Sequence, residues 1–123
     1  MTEHVFFLVG LAFLLAHEMD AVRLHEWRLL PVLSRLDDRV GFLVFTGLHV
    51  PLYLLLFFLA FNADAGTIRI MIVTLDVFFV VHVGLHLLLR NHPCNEFRSL
   101  FSWSLIVTAG IAGAIDLTQA AAP

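Results

Sequence analysis

The sequence is short of charge, lysine and cysteine, and each shortage excludes a class of protein. Of its 123 residues only 14% are charged and 60% are apolar, whereas soluble domains carry about 25% charged residues. All seven basic residues are arginine and they form no basic run, so we expect no nucleic-acid partner. The single cysteine, Cys94, can form neither an internal disulfide nor a thiolate metal framework. The composition therefore favours a membrane protein.

The sequence also lacks the signatures of several enzyme classes. His17 and Glu18 begin like the helix of a zinc protease, but residue 21 is alanine, so the HExxH pattern is not completed. The chain contains no GxSxG elbow, no Walker loop and no GxGxxG fingerprint. Serine hydrolysis, nucleotide binding and dinucleotide-dependent oxidation are therefore disfavoured.

Four apolar stretches run through the chain, at residues 5–24, 40–61, 68–89 and 99–119. Each is long enough for a transmembrane helix, which needs about 20 residues. The segment 27–39 mixes apolar residues with arginine and is typical of a chain lying at the membrane surface. We predict an all-α fold: a four-transmembrane-helix bundle, with a short interfacial segment between helices 1 and 2, in a single domain of residues 1–123.

The arginines predict the orientation of the bundle. Six of them flank the first and third connections, namely Arg23, Arg28, Arg35, Arg39, Arg90 and Arg98. Only Arg69 lies near the second connection. The positive-inside rule then places the first and third connections in the cytoplasm and both termini outside it. We expect an integral protein of a bacterial inner membrane, surrounded by lipid, that forms a homo-oligomer or contacts other membrane subunits.

Ionisable residues lie inside the apolar stretches, at His17, Glu18, Asp20, His49, Asp76, His82 and His86. A charge near the bilayer centre costs about 2.5–3.5 kcal/mol on insertion scales, so such residues usually face the bundle interior and mark a site. Measured at 1.5 Å per residue from the predicted cytoplasmic helix ends, groups on three helices reach overlapping depths of roughly 5–14 Å. The sequence therefore predicts a polar site inside the bundle, near its cytoplasmic side.

A histidine pair indicates the chemistry of that site. His82 and His86 are one helical turn apart and about 40° apart around the helix, so both can bind one ion. We predict metal ligands from His17, Glu18, His49, His82 and His86. Supporting hydrogen bonds are predicted with Asp20, His25 and Asp76, in which the aspartates accept from imidazole N–H groups of the ligands. Imidazole and carboxylate groups suit iron, zinc or manganese.

Other interpretations of the same residues remain open. Any one of these polar groups could instead form hydrogen bonds between packed helices. Glu26 and Arg28 are interpreted as solvated charges at the membrane interface. Cys94 is interpreted as a plain loop thiol.

The motifs resemble those of a known family. The stretch His17-Glu18-Met19-Asp20-Ala21 continues through His25-Glu26-Trp27, and His82-x-x-x-His86 is followed by a turn from Asn91-His92-Pro93 to Phe97. Together these segments resemble a family of small bacterial four-helix integral membrane proteins of unknown function. The resemblance implies a fold and no activity. A looser similarity is to membrane di-iron hydroxylases and desaturases, which use several HxxxH and HxxHH boxes where this chain has one HxxxH.

Three functions compete at this point. The leading hypothesis is a protein with an intramembrane metal site, acting as an oxidoreductase or hydroxylase on a lipophilic substrate. The second is a helix bundle that binds haem or chlorin, with His49 and either His82 or His86 as axial ligands. The third is a non-catalytic accessory subunit of a larger membrane complex. Whether the protein is an enzyme is left open by the sequence.

Overall fold

The computed structural model describes residues 4–121, which form four α-helices and two short 3₁₀ helices. The α-helices are α1 (Val5–Arg23), α2 (Asp38–Asn62), α3 (Ala65–Leu89) and α4 (Leu100–Ala120), and the 3₁₀ helices are η1 (Glu26–Leu29) and η2 (Leu33–Arg35). All four α-helices are long and apolar enough to cross a membrane, and no strand occurs between residues 4 and 121. The predicted all-α, four-helix fold is confirmed. The largest boundary difference is at α3, which begins at Ala65 rather than at residue 68.

Polar side chains define where three of the helices begin. Asp37 accepts a hydrogen bond from the backbone N–H of Val40 at 3.1 Å, and Ser99 accepts one from Ser102 at 3.0 Å. Asp64 accepts from the backbone N–H of Thr67 at 3.1 Å and from the Thr67 hydroxyl at 2.6 Å. The hydrogen bonds from Thr67 lower the pKa of Asp64. These caps satisfy N–H groups that have no partner within the helix, and so fix the ends of the apolar spans.

Helix α4 packs closely along both α1 and α3. Small residues make the close approach possible: a Cβ atom at Gly113 would lie 2.9 Å from the backbone oxygen of Asp76 and 3.2 Å from Phe79. Glycine lets the α3 and α4 backbones come together, as is common between membrane helices. The result is a tightly packed core of three helices.

Helix α2 stands apart from this core. Only 6% of the residues in the most apolar 18-residue stretch of α2 are buried, whereas 44% are buried in the corresponding stretch of α4. Its first turns pack on η1, where Trp27 lies against Gly41 and Phe45. Farther along, a cavity of about 510 Å³ separates α2 from α1 and α3. The cavity borders the polar site described below.

The connection between α1 and α2 turns back against the end of the bundle. His25 follows α1 with a left-handed backbone (φ 53°, ψ 45°), which reverses the chain direction. The next residues of η1 then point inward, so that Trp27 and Leu29 are buried. Arg28 forms ion pairs with Asp38 and, at 3.0 Å, with Glu96. The first connection is thereby tied to the third, and its position at a membrane surface stays a prediction.

Candidate metal centre

Three histidine side chains from two helices converge at one point. The Nε2 atom of His82 lies 3.0 Å from Nε2 of His17 and 3.2 Å from Nε2 of His86. His17 projects from α1 and is fully buried, while His82 and His86 project from α3 and are also buried. The one-turn spacing on α3 and the close packing of the bundle therefore bring three ring nitrogens together.

A glutamate from the first connection completes the group. The Oε2 atom of Glu26 lies 3.4 Å from Nε2 of His17, and Oε1 lies 3.8 Å from Nε2 of His86. One ligand atom from each of His17, Glu26, His82 and His86 lies within 4.8 Å of all the others. We call these four residues the His₃Glu cluster.

The spacing of these atoms suits a tetrahedral ion. Zinc binds imidazole nitrogen at about 2.0–2.1 Å, which places neighbouring ligand atoms of a tetrahedron roughly 3.3 Å apart. The two measured Nε2 separations, 3.0 and 3.2 Å, are close to that value. A single ion between the nitrogens would engage the lone pairs that otherwise face one another.

Two buried polar atoms at the cluster lack a hydrogen-bond partner. Glu26 Oε2 and His17 Nδ1 are buried and have no hydrogen-bond partner among residues 4–121. Burying a carboxylate oxygen without a hydrogen bond is costly, because the oxygen has lost its hydration. A metal ion at the cluster would compensate the Glu26 oxygen directly.

Electrostatics favour the ionised form of Glu26, which lies outside the membrane-spanning helices. Burial acts to raise the pKa of Glu26, but its close contact with His17 and the electrostatic effect of the neighbouring His86 and His82 outweigh it. The net pKa lies below the ordinary value for glutamate. Glu26 is therefore a carboxylate, the form that binds a metal.

Aromatic packing fixes the orientation of two of the imidazoles. The Phe97 ring is buried, with its centroid 4.6 Å from that of His86 and 5.4 Å from that of His17. The backbone N–H of Phe97 donates to Asn95 at 3.1 Å, and Asn95 in turn donates to the carbonyl of Arg90. The turn after α3 thus holds an apolar wall against the cluster.

Two of the predicted ligands lie outside the cluster and pair with each other. His49 Nε2, on α2, is 2.9 Å from Glu18 Oε2, on α1. His49 Nδ1 donates to the Phe45 carbonyl at 2.7 Å, since a carbonyl oxygen can only accept. The structure therefore brings together His17, His82 and His86 from the predicted set, and places His49 and Glu18 on another part of the cavity wall.

The residues predicted to support the ligands have other neighbours. Asp20 accepts from Arg23 at 2.7 Å, and His25 lies 3.1 Å from Glu96. Asp76 lies beside Asp116, toward the opposite end of the bundle. Each of the three thus lies beside a group that is not one of the predicted ligands.

Glu26 is the cluster residue that the sequence prediction missed. Its interpretation as a solvated interface charge is wrong, because the residue is only 9% exposed. Helical periodicity could not have revealed it, because α1 ends at Arg23 and the left-handed turn at His25 resets the direction of the side chains. The sequence feature that could have identified Glu26 is its position directly before Trp27, an apolar residue that packs against α2.

The cavity between α2 and the three-helix core meets the cluster at one end. Its walls are largely leucine and phenylalanine, including Leu11, Leu15, Leu52, Leu56 and Phe78. Its polar lining includes Glu26, His82 and His86 of the cluster, together with Glu18 and His49. The arrangement can hold an apolar molecule next to a metal ion.

Comparison with known proteins gives one match. The family described as "Family of unknown function (DUF6713)" matches residues 3–122. No curated protein and no solved structure matches the chain. The family match covers nearly the whole chain and confirms the resemblance to a small family of unknown function. The chain therefore belongs to the family DUF6713.

Proposed function

We propose that this protein is a metal-dependent membrane protein that binds one divalent transition-metal ion at the His₃Glu cluster and acts on a lipophilic molecule in the adjoining cavity. The observation that carries the proposal is the convergence of three imidazoles and one carboxylate, within 4.8 Å, beside an apolar cavity of about 510 Å³. Imidazole and carboxylate ligands suit zinc, iron or manganese.

The ligand set supports a mononuclear centre. Di-iron centres in helical bundles use several bridging carboxylates, and the cluster contains one, from Glu26. The nearby carboxylate of Glu18 is engaged by His49 at 2.9 Å. We therefore propose one ion with three imidazole ligands and one carboxylate ligand.

The cavity supports a lipophilic substrate. Its volume falls within the roughly 300–1,000 Å³ of small-molecule sites, and its lining is mainly apolar. His17 is enclosed, whereas Glu26, His82 and His86 border the cavity, so a fifth coordination position, beyond the four protein ligands, would face the substrate. The loose packing of α2 gives such a molecule a route from the bilayer.

The reaction class we propose is oxidation, with hydroxylation as its specific form. Histidine and carboxylate sites with open positions bind Fe(II) in oxygenases. Hydroxylation breaks a C–H bond and forms a C–OH bond. One oxygen atom of O₂ enters the product, and the other leaves as water after receiving two electrons and two protons from an external reductant. The chain's own part is to hold the ion, seat the substrate beside it and exclude bulk water.

A matched pair of glutamate variants tests the metal centre. We expect elemental analysis of detergent-purified protein to find a single equivalent of iron, zinc or manganese in the wild type and in Glu18→Gln. Glu26→Gln should lose most of it, because a neutral amide binds these ions far more weakly than a carboxylate. Both variants keep the size of the side chain, so folding is matched.

Three other outcomes would each point elsewhere. Loss of metal from Glu18→Gln with metal kept in Glu26→Gln would favour the ligand set predicted from sequence. Protein without metal, never exposed to chelator, would refute the metal site and favour the accessory-subunit hypothesis. A Soret band in the visible spectrum would favour haem, which this proposal expects to be absent.

The reaction class has its own test. Lipids extracted from cells that express the wild type should contain a species heavier by one oxygen atom than its precursor. That species should be absent with Glu26→Gln. Identical lipid profiles in the presence of bound metal would refute hydroxylation of lipid while leaving the metal site intact.

A further inference from the structure

A second polar group lies inside the bundle, away from the His₃Glu cluster. Asp76 on α3 is fully buried and Asp116 on α4 is almost fully buried, and the two carboxyl groups lie beside each other. Asp76 precedes His82 by six residues, or about 9 Å along the helix. Phe79 lies between them in sequence and is buried. The buried Phe79 therefore stands between this pair and the His₃Glu cluster along α3.

The two aspartates differ in their hydrogen bonds. Asp116 accepts from the backbone N–H of Phe7 at 3.2 Å and lies 3.2 Å from Nδ1 of His4. Both oxygens of Asp76 are buried, and among residues 4–121 neither has a conventional hydrogen-bond partner. Asp116 and His4 are the ionisable groups that act on Asp76.

Two ionised carboxylates cannot stabilise each other in this position. Carboxylates only accept hydrogen bonds, so neither could donate to the other. Their charges would also repel in a medium that screens poorly, which is why paired buried carboxyl groups hold a proton. The helices cannot separate to relieve the repulsion without losing the close backbone contact at Gly113, one turn before Asp116 on α4.

We propose that Asp76 and Asp116 share one proton and form a proton-binding site that fills from the end of the bundle where His4 lies. Proton uptake converts two carboxylates into one carboxylic acid and one carboxylate, and no electrons move. The carboxylic acid of Asp76 then donates to an oxygen of Asp116. His4, whose side chain is 39% exposed, connects Asp116 to water and passes the proton inward.

A proton suits the pair better than a metal ion does. Metal ions of the kind considered above need three or more ligand groups around one point. Among the described residues, such a convergence of histidine, cysteine and acidic groups occurs at the His₃Glu cluster and not at Asp76 and Asp116. A proton needs only the two oxygens that are present.

Infrared spectroscopy of the full-length protein in lipid nanodiscs at neutral pH tests the proposal. We expect a C=O stretching band of a protonated carboxylic acid that shifts in D₂O and also shifts when the aspartates carry an isotope label. The chain has six aspartates. The other four each accept from a nearby donor: Asp20 from Arg23, Asp37 from Val40, Asp38 from Arg28, and Asp64 from Thr67. A labelled band therefore reports on the buried pair.

Variants test which residue gives rise to the band and how protons reach that residue. Asp76→Asn should remove the aspartic-acid band, whereas Asp20→Asn should leave it. His4→Ala should slow hydrogen–deuterium exchange of the band several-fold, whereas His92→Ala, in the loop after α3, should not.

Three results would each contradict a different part of the proposal. Absence of a labelled carboxylic-acid band in the wild type would overturn the proposal without requiring any variant to fold. Binding of radioactive sodium or calcium to wild type, lost in Asp76→Asn, would instead identify a cation site. Unchanged exchange in His4→Ala would refute the route through His4.

Discussion

His25 holds the left-handed backbone conformation that aims Glu26 at the three histidines (φ 53°). Among non-glycine residues this conformation is disfavoured by roughly 1–2 kcal/mol, because Cβ approaches the following carbonyl oxygen. The position of Glu26 in the cluster therefore depends on the backbone conformation of His25.

Two substitutions at His25 separate the backbone from the side chain. Both His25→Gly and His25→Ala remove the contact with Glu96, but only glycine relieves the left-handed strain. We expect His25→Gly to be more stable than His25→Ala by about 1 kcal/mol, measured by unfolding in mixed micelles and followed by circular dichroism. Equal stabilities would mean that the turn is not strained.

At the scale of the helical elements, what holds the core together is the fit of α4 against α3. A methyl group at Gly113 would meet the Asp76 backbone oxygen at 2.9 Å and Phe79 at 3.2 Å, whereas one at Gly84 would meet nothing within 4 Å. An added methyl group therefore has space at Gly84 and none at Gly113.

Alanine substitutions at these glycines should have opposite effects. Gly113→Ala should destabilise the protein by roughly 1–3 kcal/mol, since overpacking forces the helices apart. Gly84→Ala should be neutral or stabilising, because alanine favours a helix over glycine by roughly 1 kcal/mol. The same micelle unfolding measurement compares them. A loss of stability in Gly84→Ala as large as that in Gly113→Ala would contradict the packing described for α4.

The elements were more predictable from sequence than the site. Each apolar run marks a span, and the helix-capping aspartates Asp37 and Asp64 stand just before two of them. His82 and His86 could be paired because they share one regular helix. Glu26 could not be added, because its position depends on where α1 ends and how the chain turns afterwards. Glu18 and His17 could not be told apart as ligands, because the sequence does not show which face of α1 points inward.

For the whole molecule, the orientation in the membrane stays a prediction from the arginines. Cys94 offers a direct test, since it is the single cysteine, is exposed, and lies in the connection between α3 and α4. This connection carries Arg90 and Arg98, so we expect it to face the cytoplasm.

A membrane-impermeant maleimide should label Cys94 in inside-out vesicles and not in intact spheroplasts. The variant Cys94→Ala lacks the thiol and is the control for background labelling. A Cys94→Ala, Thr67→Cys double variant, whose new thiol lies at the start of α3, should give the reverse pattern. Labelling of Cys94 from outside would invert the topology and place both termini in the cytoplasm.

The four helices pack unevenly, and the histidines of the cluster lie on different helices from the one that forms the far wall of the cavity. The three histidines of the cluster lie on α1 and α3, and α4 packs against both of these helices. The opposite wall of the cavity is formed by α2, whose side chains mostly face outward. Changes in side-chain size along the cavity face of α2, at Leu52 or Leu56 for example, would therefore reshape the cavity and leave the His₃Glu cluster in place. The polar cluster and the shape of the cavity therefore depend on different helices, so the size of the cavity can change without a change at the cluster.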